Sequence, residues 1–230
     1  MKRMRVQFSK SDEIRFISHL DLLRTISRAI RRAKVPIAFS QGFNPHHLIS
    51  MGPALPVGLT STGEYMDLEF QEEISVNEFF KKMKPQLPKG LELIKGEFIS
   101  PQVDSLMAQI NSAVYLVRLK MNSKKGIEQA VREFSNQKKI LIKRKRKGKV
   151  RNVDIKPLIR ELKVLEIDDQ PFLQMRIQTG SKGNVRPEEV MAVLAQYEGI
   201  EEVPLTWMHR KGLYVETENK LLTPFEAARI

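Results

Sequence analysis

Between Lys138 and Arg151 the chain carries nine lysines and arginines and no acidic residue. Cations at that density repel one another unless something neutralises them. A phosphate backbone does so, releasing its condensed counterions. Gly148 interrupts the run Lys143-Arg144-Lys145-Arg146-Lys147-Gly148-Lys149, at a point where the chain can turn. Folded as a hairpin, the run would point alternate side chains to one face and form a basic ribbon able to follow a nucleic-acid strand. Lys143, Arg144, Lys145, Arg146, Lys147, Lys149 and Arg151 are therefore candidate nucleic-acid-binding residues. The competing reading is a solvated loop without a specific partner.

A second basic group lies near the N-terminus. Arg24 and Arg28 are one helical turn apart, with Arg31 and Arg32 beyond them. Arg24, Arg28 and Arg32 are candidates to extend the phosphate track, against the plainer reading of a solubilising helix face. The following loop, Phe39 to His47, is rich in turn residues, and Phe43 offers a face on which an unstacked base could lie. His46 and His47 are neighbours, so in a regular strand they would face opposite ways and not share a metal ion. His19, at the start of a helix, is either a core or interface histidine or a general base for RNA cleavage, and His46 is the other candidate base. A glycine-rich segment, Gly180 to Pro187, either opens a helix toward an anion or simply joins a strand to a helix.

Other chemistries have no carriers. Nucleotide-binding glycine motifs, a nucleophile elbow and metal-spaced histidines and carboxylates are all missing. The 230 residues include no cysteine, which excludes disulfides, thiolate nucleophiles and cysteine-held zinc or iron–sulfur centres in this chain. No cofactor is expected. No stretch reaches the ~20 apolar residues that span a bilayer, and the N-terminus lacks the apolar run of a signal peptide. The expectation is a cytoplasmic protein with no membrane contact. Lys and Arg number 39 against 27 acidic residues, a net charge of +12, which speaks to an acidic partner.

The elements that must position these residues follow from periodicity. Met4 to Phe8 alternates as a strand. Ser18 and Asp21 have capping-box spacing, and the helix is predicted over His19 to Ala33 with Leu23, Ile26, Ile30 and Ala33 as its apolar stripe. Leu48 to Met51, Glu64 to Gln71 and Leu91 to Ile99 read as strands, and Val76 to Met83 as a helix. The second half predicts strands at Ala113 to Lys120, Ile140 to Ile142, Leu162 to Ile167, Phe172 to Gln178, Val203 to His209 and Leu213 to Val215. Its helices are Lys124 to Ser135 and one with Pro187 at its first position running to Tyr197. Each half thus suggests β-α-β-β-α-β, so the predicted fold is α+β with two tandem ferredoxin-like halves. The predicted domains are 1–100, a linker at 101–111, 112–216 with the basic hairpin, and a tail at 217–230.

Phe16-Ile17-Ser18-His19-Leu20-Asp21-Leu22, Phe39-Ser40-Gln41-Gly42-Phe43-Asn44-Pro45-His46 and Gly52-Pro53-Ala54-Leu55-Pro56-Val57-Gly58 resemble the bacterial radical-SAM-linked protein family. Asp154-Ile155-Lys156-Pro157 and Arg186-Pro187-Glu188-Glu189-Val190 match its later motifs, so the resemblance covers most of the chain. His47 departs from it, standing where a basic residue or proline is more usual. The resemblance implies a partner: a radical-SAM protein with a cobalamin-binding-type region, fused to or encoded near such chains. With no cysteine here, any cluster belongs to that partner. The element order also resembles the tandem ferredoxin-like RNA-binding proteins of the CRISPR RAMP group, a likeness of fold alone.

Three functions compete. The first is an RNA-binding accessory protein presenting tRNA, rRNA or a ribosomal particle to a radical-SAM modifying enzyme. The second is a metal-independent endoribonuclease using His19 or His46. The third is a subunit that touches only the radical-SAM protein, through the apolar loop Pro53 to Leu59.

Overall fold

The computed structural model describes residues 2–120, 124–146, 148–197, 200–201, 203–218 and 220–229. The chain is an α+β protein that divides into two compact units. Unit 1 comprises the residues up to Asn111 together with those from Gly212 onward, and unit 2 is Ser112–Lys211. In chain order, unit 1 contributes β1 (Lys2–Lys10), α1 (His19–Ala33), β2 (Ile49–Met51), β3 (Thr60–Phe70), α2 (Val76–Met83), β4 (Leu91–Ile99) and α3 (Leu106–Gln109). Unit 2 contributes β5 (Ser112–Arg118), α4 (Lys124–Asn136), β6 (Leu141–Arg146), β7 (Lys149–Asp154), β8 (Ile159–Ile167), β9 (Gln170–Gln178) and α5 (Pro187–Leu194). β10 (Met208–Glu216) then carries the chain back into unit 1, where β11 (Leu221–Leu222) and α6 (Pro224–Ala227) complete it. The residues expected to form a C-terminal tail thus hold elements of unit 1, and α3 lies within the segment expected as a linker.

Unit 1 is built on a sheet in which β1 lies between β4 and β3, and β2 pairs with β3, every neighbouring pair being antiparallel. Met4, Val6 and Phe8 alternate onto one face and are fully buried. Ile26 and Ile30 of α1 and Phe79 of α2 join them in one apolar core. The buried stripe of α1 is Leu22, Ile26, Ala29 and Ile30. It is turned slightly from the predicted stripe, leaving Leu23 and Ala33 half-buried. Ser18 caps the helix by accepting from the Asp21 N–H at 3.2 Å, and its hydroxyl donates to the Asp21 carboxylate at 2.7 Å. The carboxylate that the spacing aimed at the Ser18 backbone therefore engages its hydroxyl. Lys34, at φ 51°, ends the helix in the left-handed conformation ahead of Pro36.

The opposite face of that sheet buries charge. Arg5 and Asp67 are cross-strand partners on β1 and β3. The Arg5 Nε and Nη2 donate to the two Asp67 oxygens at 2.8 and 2.9 Å. Its Nη1 donates to Gln109 Oε1 of α3 at 2.9 Å and to the Pro224 carbonyl of α6 at 2.7 Å. One guanidinium thus ties two strands, α3 and the C-terminal helix together.

In unit 2, β9 pairs antiparallel with β5 on one side and β8 on the other. Leu173, Met175 and Ile177 of β9 are buried, as are Ile127, Ala130 and Phe134 of α4 and Val190, Met191 and Leu194 of α5. Asp168 and Asp169 join β8 to β9 with φ of 49° and 58°, the two left-handed residues that a tight hairpin turn requires and that aspartate tolerates. One expectation fails. Val203 to His209 is not a strand: Leu205–Trp207 forms a 3-10 turn, and a single continuous strand, β10, starts at Met208. The short apolar run alone carries no signal that separates the two.

Candidate nucleic-acid interface

The basic run folds as the hairpin its spacing suggests. β6 and β7 form a two-stranded sheet of their own, with Gly148 at the turn at φ 77°. A side chain there would meet no neighbouring atom, so glycine serves the backbone conformation and not a close approach. The register pairs Lys143 with Asn152, Arg144 with Arg151, Lys145 with Val150 and Arg146 with Lys149. Directly paired residues share a face. Lys143 and Lys145 therefore lie on one face, and Arg144, Lys149 and Arg151 on the other. Lys143, Lys145, Lys149 and Arg151 are exposed and make no hydrogen bond or ion pair among the described residues. Lys147 and the side chain of Arg146 lie outside the described residues.

Arg144 stands apart. Its Nε and Nη2 donate to the Glu189 carboxylate of α5 at 2.7 and 2.5 Å, and Nη2 also reaches the Asn184 carbonyl at 2.8 Å. Glu189 in turn accepts from the Arg186 backbone N–H at 2.9 Å, closing the first turn of α5. Burial pushes the Glu189 carboxyl up, but the hydrogen bonds from Arg144 and the Arg186 backbone outweigh it and hold the pKa below its usual value. Arg144, a candidate phosphate contact, is thus tied to the start of α5. The hairpin's base is tied again where Asp154 Oδ1 accepts from the Ile140 and Lys156 backbone N–H groups, both at 3.0 Å. Those bonds, the Ile140 one foremost, keep the Asp154 carboxyl below its usual range.

Unit 1 carries the second basic surface. Arg24 is exposed and pairs with Asp21 at 3.1 Å. Arg28 and Arg31 are exposed and make no hydrogen bond or ion pair among the described residues. Arg32 has turned to the other flank, where Nε donates to Gln86 Oε1 at 3.1 Å and Nη2 to the Gln86 carbonyl at 2.5 Å. Arg28 and Arg31 thus differ from Arg24 and Arg32, which have partners within the unit. Arg32 follows Arg28 by one turn, and its bonds to Gln86, not helical angle, set it apart.

The loop from Phe39 to His47 is pinned beside this face. Phe39 bridges His47 as an isolated strand pair, and the Ser40 N–H donates to the His46 carbonyl at 2.8 Å. Ser40 Oγ lies 2.8 Å from His46 Nδ1 and accepts from the His46 N–H at 3.1 Å. His47 is buried, 2.8 Å from Ser27 Oγ of α1 through Nδ1, with its ring 4.6 Å from that of Phe39. Burial, and secondarily the charge of Arg31, lower its pKa. His47 bolts the loop to α1. At the loop's tip Phe43 is fully exposed, 105% by relative surface. An aromatic ring held out in water offers a face for base stacking.

His19 is half-buried at a narrow cleft lined also by Lys10, Leu55, Glu64 and Tyr65. Lys10 is buried and donates to the Arg15 and Ile17 carbonyls, both at 3.0 Å, which fixes the chain entering α1. Arg15 Nε donates to the Gly58 carbonyl at 2.8 Å, seating the loop from Pro53 to Leu59 against that entry. Leu55 and Leu59 of this loop are buried, and Ala54 and Val57 are its exposed residues. Among the described residues no group of three or more His, Asp or Glu is placed to hold a metal ion, and no helix is long and apolar enough to cross a membrane.

No curated protein matches the chain. Among solved structures, it is similar to a chain of a Cbf5-Nop10-Gar1 complex, at 11% identity over 91% of this chain and 47% of that one, with a TM-score of 0.47. It thus spans about half the length of that chain. A protein of unknown function from Galdieria sulphuraria is similar at 10% identity, over 85% of this chain and 88% of that one, with a TM-score of 0.25. The model of one sequence family matches residues 3–187, and on that match the chain belongs to DUF2344, described as an uncharacterized protein conserved in bacteria.

Proposed function

We propose that this protein binds RNA, with the β6–β7 hairpin as its principal phosphate contact, and presents it to a separate radical-SAM modifying enzyme. The carrying observation is the ribbon itself: exposed cations on both faces of a two-stranded sheet, anchored at its base, with Lys143, Lys145, Lys149 and Arg151 bonded to none of the described residues. Such a ribbon neutralises a phosphate strand at strand spacing. The exposed Arg24, Arg28 and Arg31 and the exposed ring of Phe43 are further groups suited to an unpaired nucleotide. The modifying enzyme rests on the sequence resemblance, and the absence of cysteine assigns any iron–sulfur cluster to that partner.

A salt-titrated binding assay with labelled total tRNA and ribosomal RNA fragments tests the reading. Binding at 50 mM salt is expected, with the Lys143→Gln/Lys145→Gln/Lys149→Gln/Arg151→Gln variant weakened and its salt dependence flattened. Negligible affinity, or affinity indifferent to those changes, sinks it. Co-purification with a radical-SAM protein that survives nuclease and high salt would favour a purely protein-binding subunit. The cleavage reading draws on the oriented ring of His46, held at Nδ1 by Ser40. Intact RNA after long incubation, or cleavage unaffected by His19→Ala and His46→Ala, rejects it.

A further inference from the structure

A groove of about 500 Å³ runs between α2 and the start of β4 in unit 1. Phe80, Leu87 and Leu93 form its half-buried apolar floor. Lys81, Lys84 and Lys89 stand exposed around it, against one acid, Glu92. Lys89 also pairs with Glu13 at 3.3 Å. Lys81 and Lys84 bond to none of the described residues. The groove's side wall is β4, which hydrogen-bonds β1 and ends the strand order of its sheet. Along its outer edge the nine residues of β4 pair with no strand among the described residues. Ile94 and Phe98 are exposed on it.

Long edge strands with exposed apolar side chains invite strand addition unless they are covered. Here the helix beside the edge is close enough to shape a pocket. A Cβ on Gly96 would sit 3.0 Å from the Phe80 ring, so glycine at that position lets α2 press onto β4. We propose that this groove docks an extended acidic segment of a partner protein. The segment adds to β4 as a strand, and the side chains it turns toward α2 set apolar groups on Phe80, Leu87 and Leu93 and, beside them on the same face, carboxylates at Lys81, Lys84 and Lys89. Backbone pairing supplies affinity and alternate pockets supply specificity. The excess of three lysines over one glutamate selects an acidic segment over a basic one. The groove belongs to unit 1 and the hairpin to unit 2, so the docking proposal stands or falls independently of RNA binding.

The probe is a fluorescein-labelled octapeptide with both leucine and glutamate at the positions of one strand face and threonine on the other, and its control replaces each glutamate by lysine. Anisotropy is read with the wild-type protein, with Lys81→Glu/Lys84→Glu, and with the neutralised hairpin variant. Oleate serves as competitor. Binding of the acidic peptide alone is expected, weakened at least tenfold by the groove substitutions and changed less than threefold by the hairpin ones. Hydrogen exchange of Leu91–Ile99 should slow at least fivefold when the peptide binds, because strand addition protects amides on the open edge. Loss of binding in the hairpin variant alone, unchanged exchange in β4, or a groove that takes oleate and not the peptide would each overturn the proposal.

Discussion

Arg5 in unit 1 and the cations of the β6–β7 hairpin in unit 2 are opposite solutions to placing positive charge. Arg5 is fully buried and its guanidinium is filled by Asp67, Gln109 and Pro224. The exposed hairpin lysines and Arg151 have no such partners among the described residues. A charge taken out of water must bring its whole set of partners, and the set stabilises only when complete. A charge left in water costs the fold little and is free to meet an outside anion. Arg144 lies between the two, a hairpin residue whose fork is already filled by Glu189. Charge clustering in sequence therefore marks a region, and the hydrogen-bond partners decide which members remain available.

The strongest way to break the comparison is to open the buried set. Asp67→Ala leaves the Arg5 charge buried without its carboxylate, at an expected cost of about 3–5 kcal/mol in urea unfolding. Arg5→Met combined with Asp67→Leu should recover much of that loss, since an apolar pair has no charge to desolvate. A cost below about 1 kcal/mol for Asp67→Ala would mean that Arg5 is not held as described.

On the exposed side the effect moves from stability to affinity. Neutralising Lys143, Lys145, Lys149 and Arg151 together should leave the unfolding free energy within about 0.5 kcal/mol of wild type. RNA affinity at 100 mM salt should fall roughly 10²–10³-fold, with the log–log salt slope reduced by about 0.7–0.9 for each phosphate that is no longer neutralised. Arg144→Gln should do the reverse. Removing its charged hydrogen bonds should cost about 1–2 kcal/mol. Amide exchange in β6 and β7 should quicken, while the salt slope stays near the wild-type value. A slope change equal to that of Lys143→Gln would return Arg144 to the phosphate-binding set.

Elements with a strong local signal were legible in the sequence. α1 begins and ends at its predicted residues because the Ser18 cap and the stop before Pro36 are local chemistry. The hairpin turns at Gly148 and at Asp168-Asp169 for the same reason. What sequence concealed was long-range. Arg144 meets Glu189 across 45 residues. Arg32 reaches Gln86 across 54, and Arg5 reaches Pro224 across 219. Nothing in the spacing marks an arginine whose partner lies that far along the chain. The groove at β4 was hidden likewise, because Phe80 and Leu93 belong to separate elements and nothing in the sequence shows that they share a groove.

His47 sharpens the same comparison with a smaller effect. Arg5 is buried charged and survives through its partners, whereas His47 is buried beside Phe39 and near a cation, so the fold favours its neutral form. Burial, then Arg31, lower its pKa from the 6.5 of an unperturbed imidazole. Between the folded and unfolded values the unfolded chain binds more protons, so stability rises with pH there. The His47 contribution is complete above about pH 6.5 and declines as pH falls below it, with a slope of at most about 1.4 kcal/mol per pH unit. His47→Gln can keep a hydrogen bond to Ser27 and cannot titrate. Urea unfolding of both proteins at pH 7.5, 6.5 and 5.5 isolates the imidazole's share, because every other titrating group is common to the two. Wild type should lose stability faster than the variant chiefly in the lower interval, with only a few tenths of a kcal/mol lost in the upper one. Parallel curves would show that this imidazole is protonated in the fold at no cost, and that the loop is not bolted to α1 through a neutral ring.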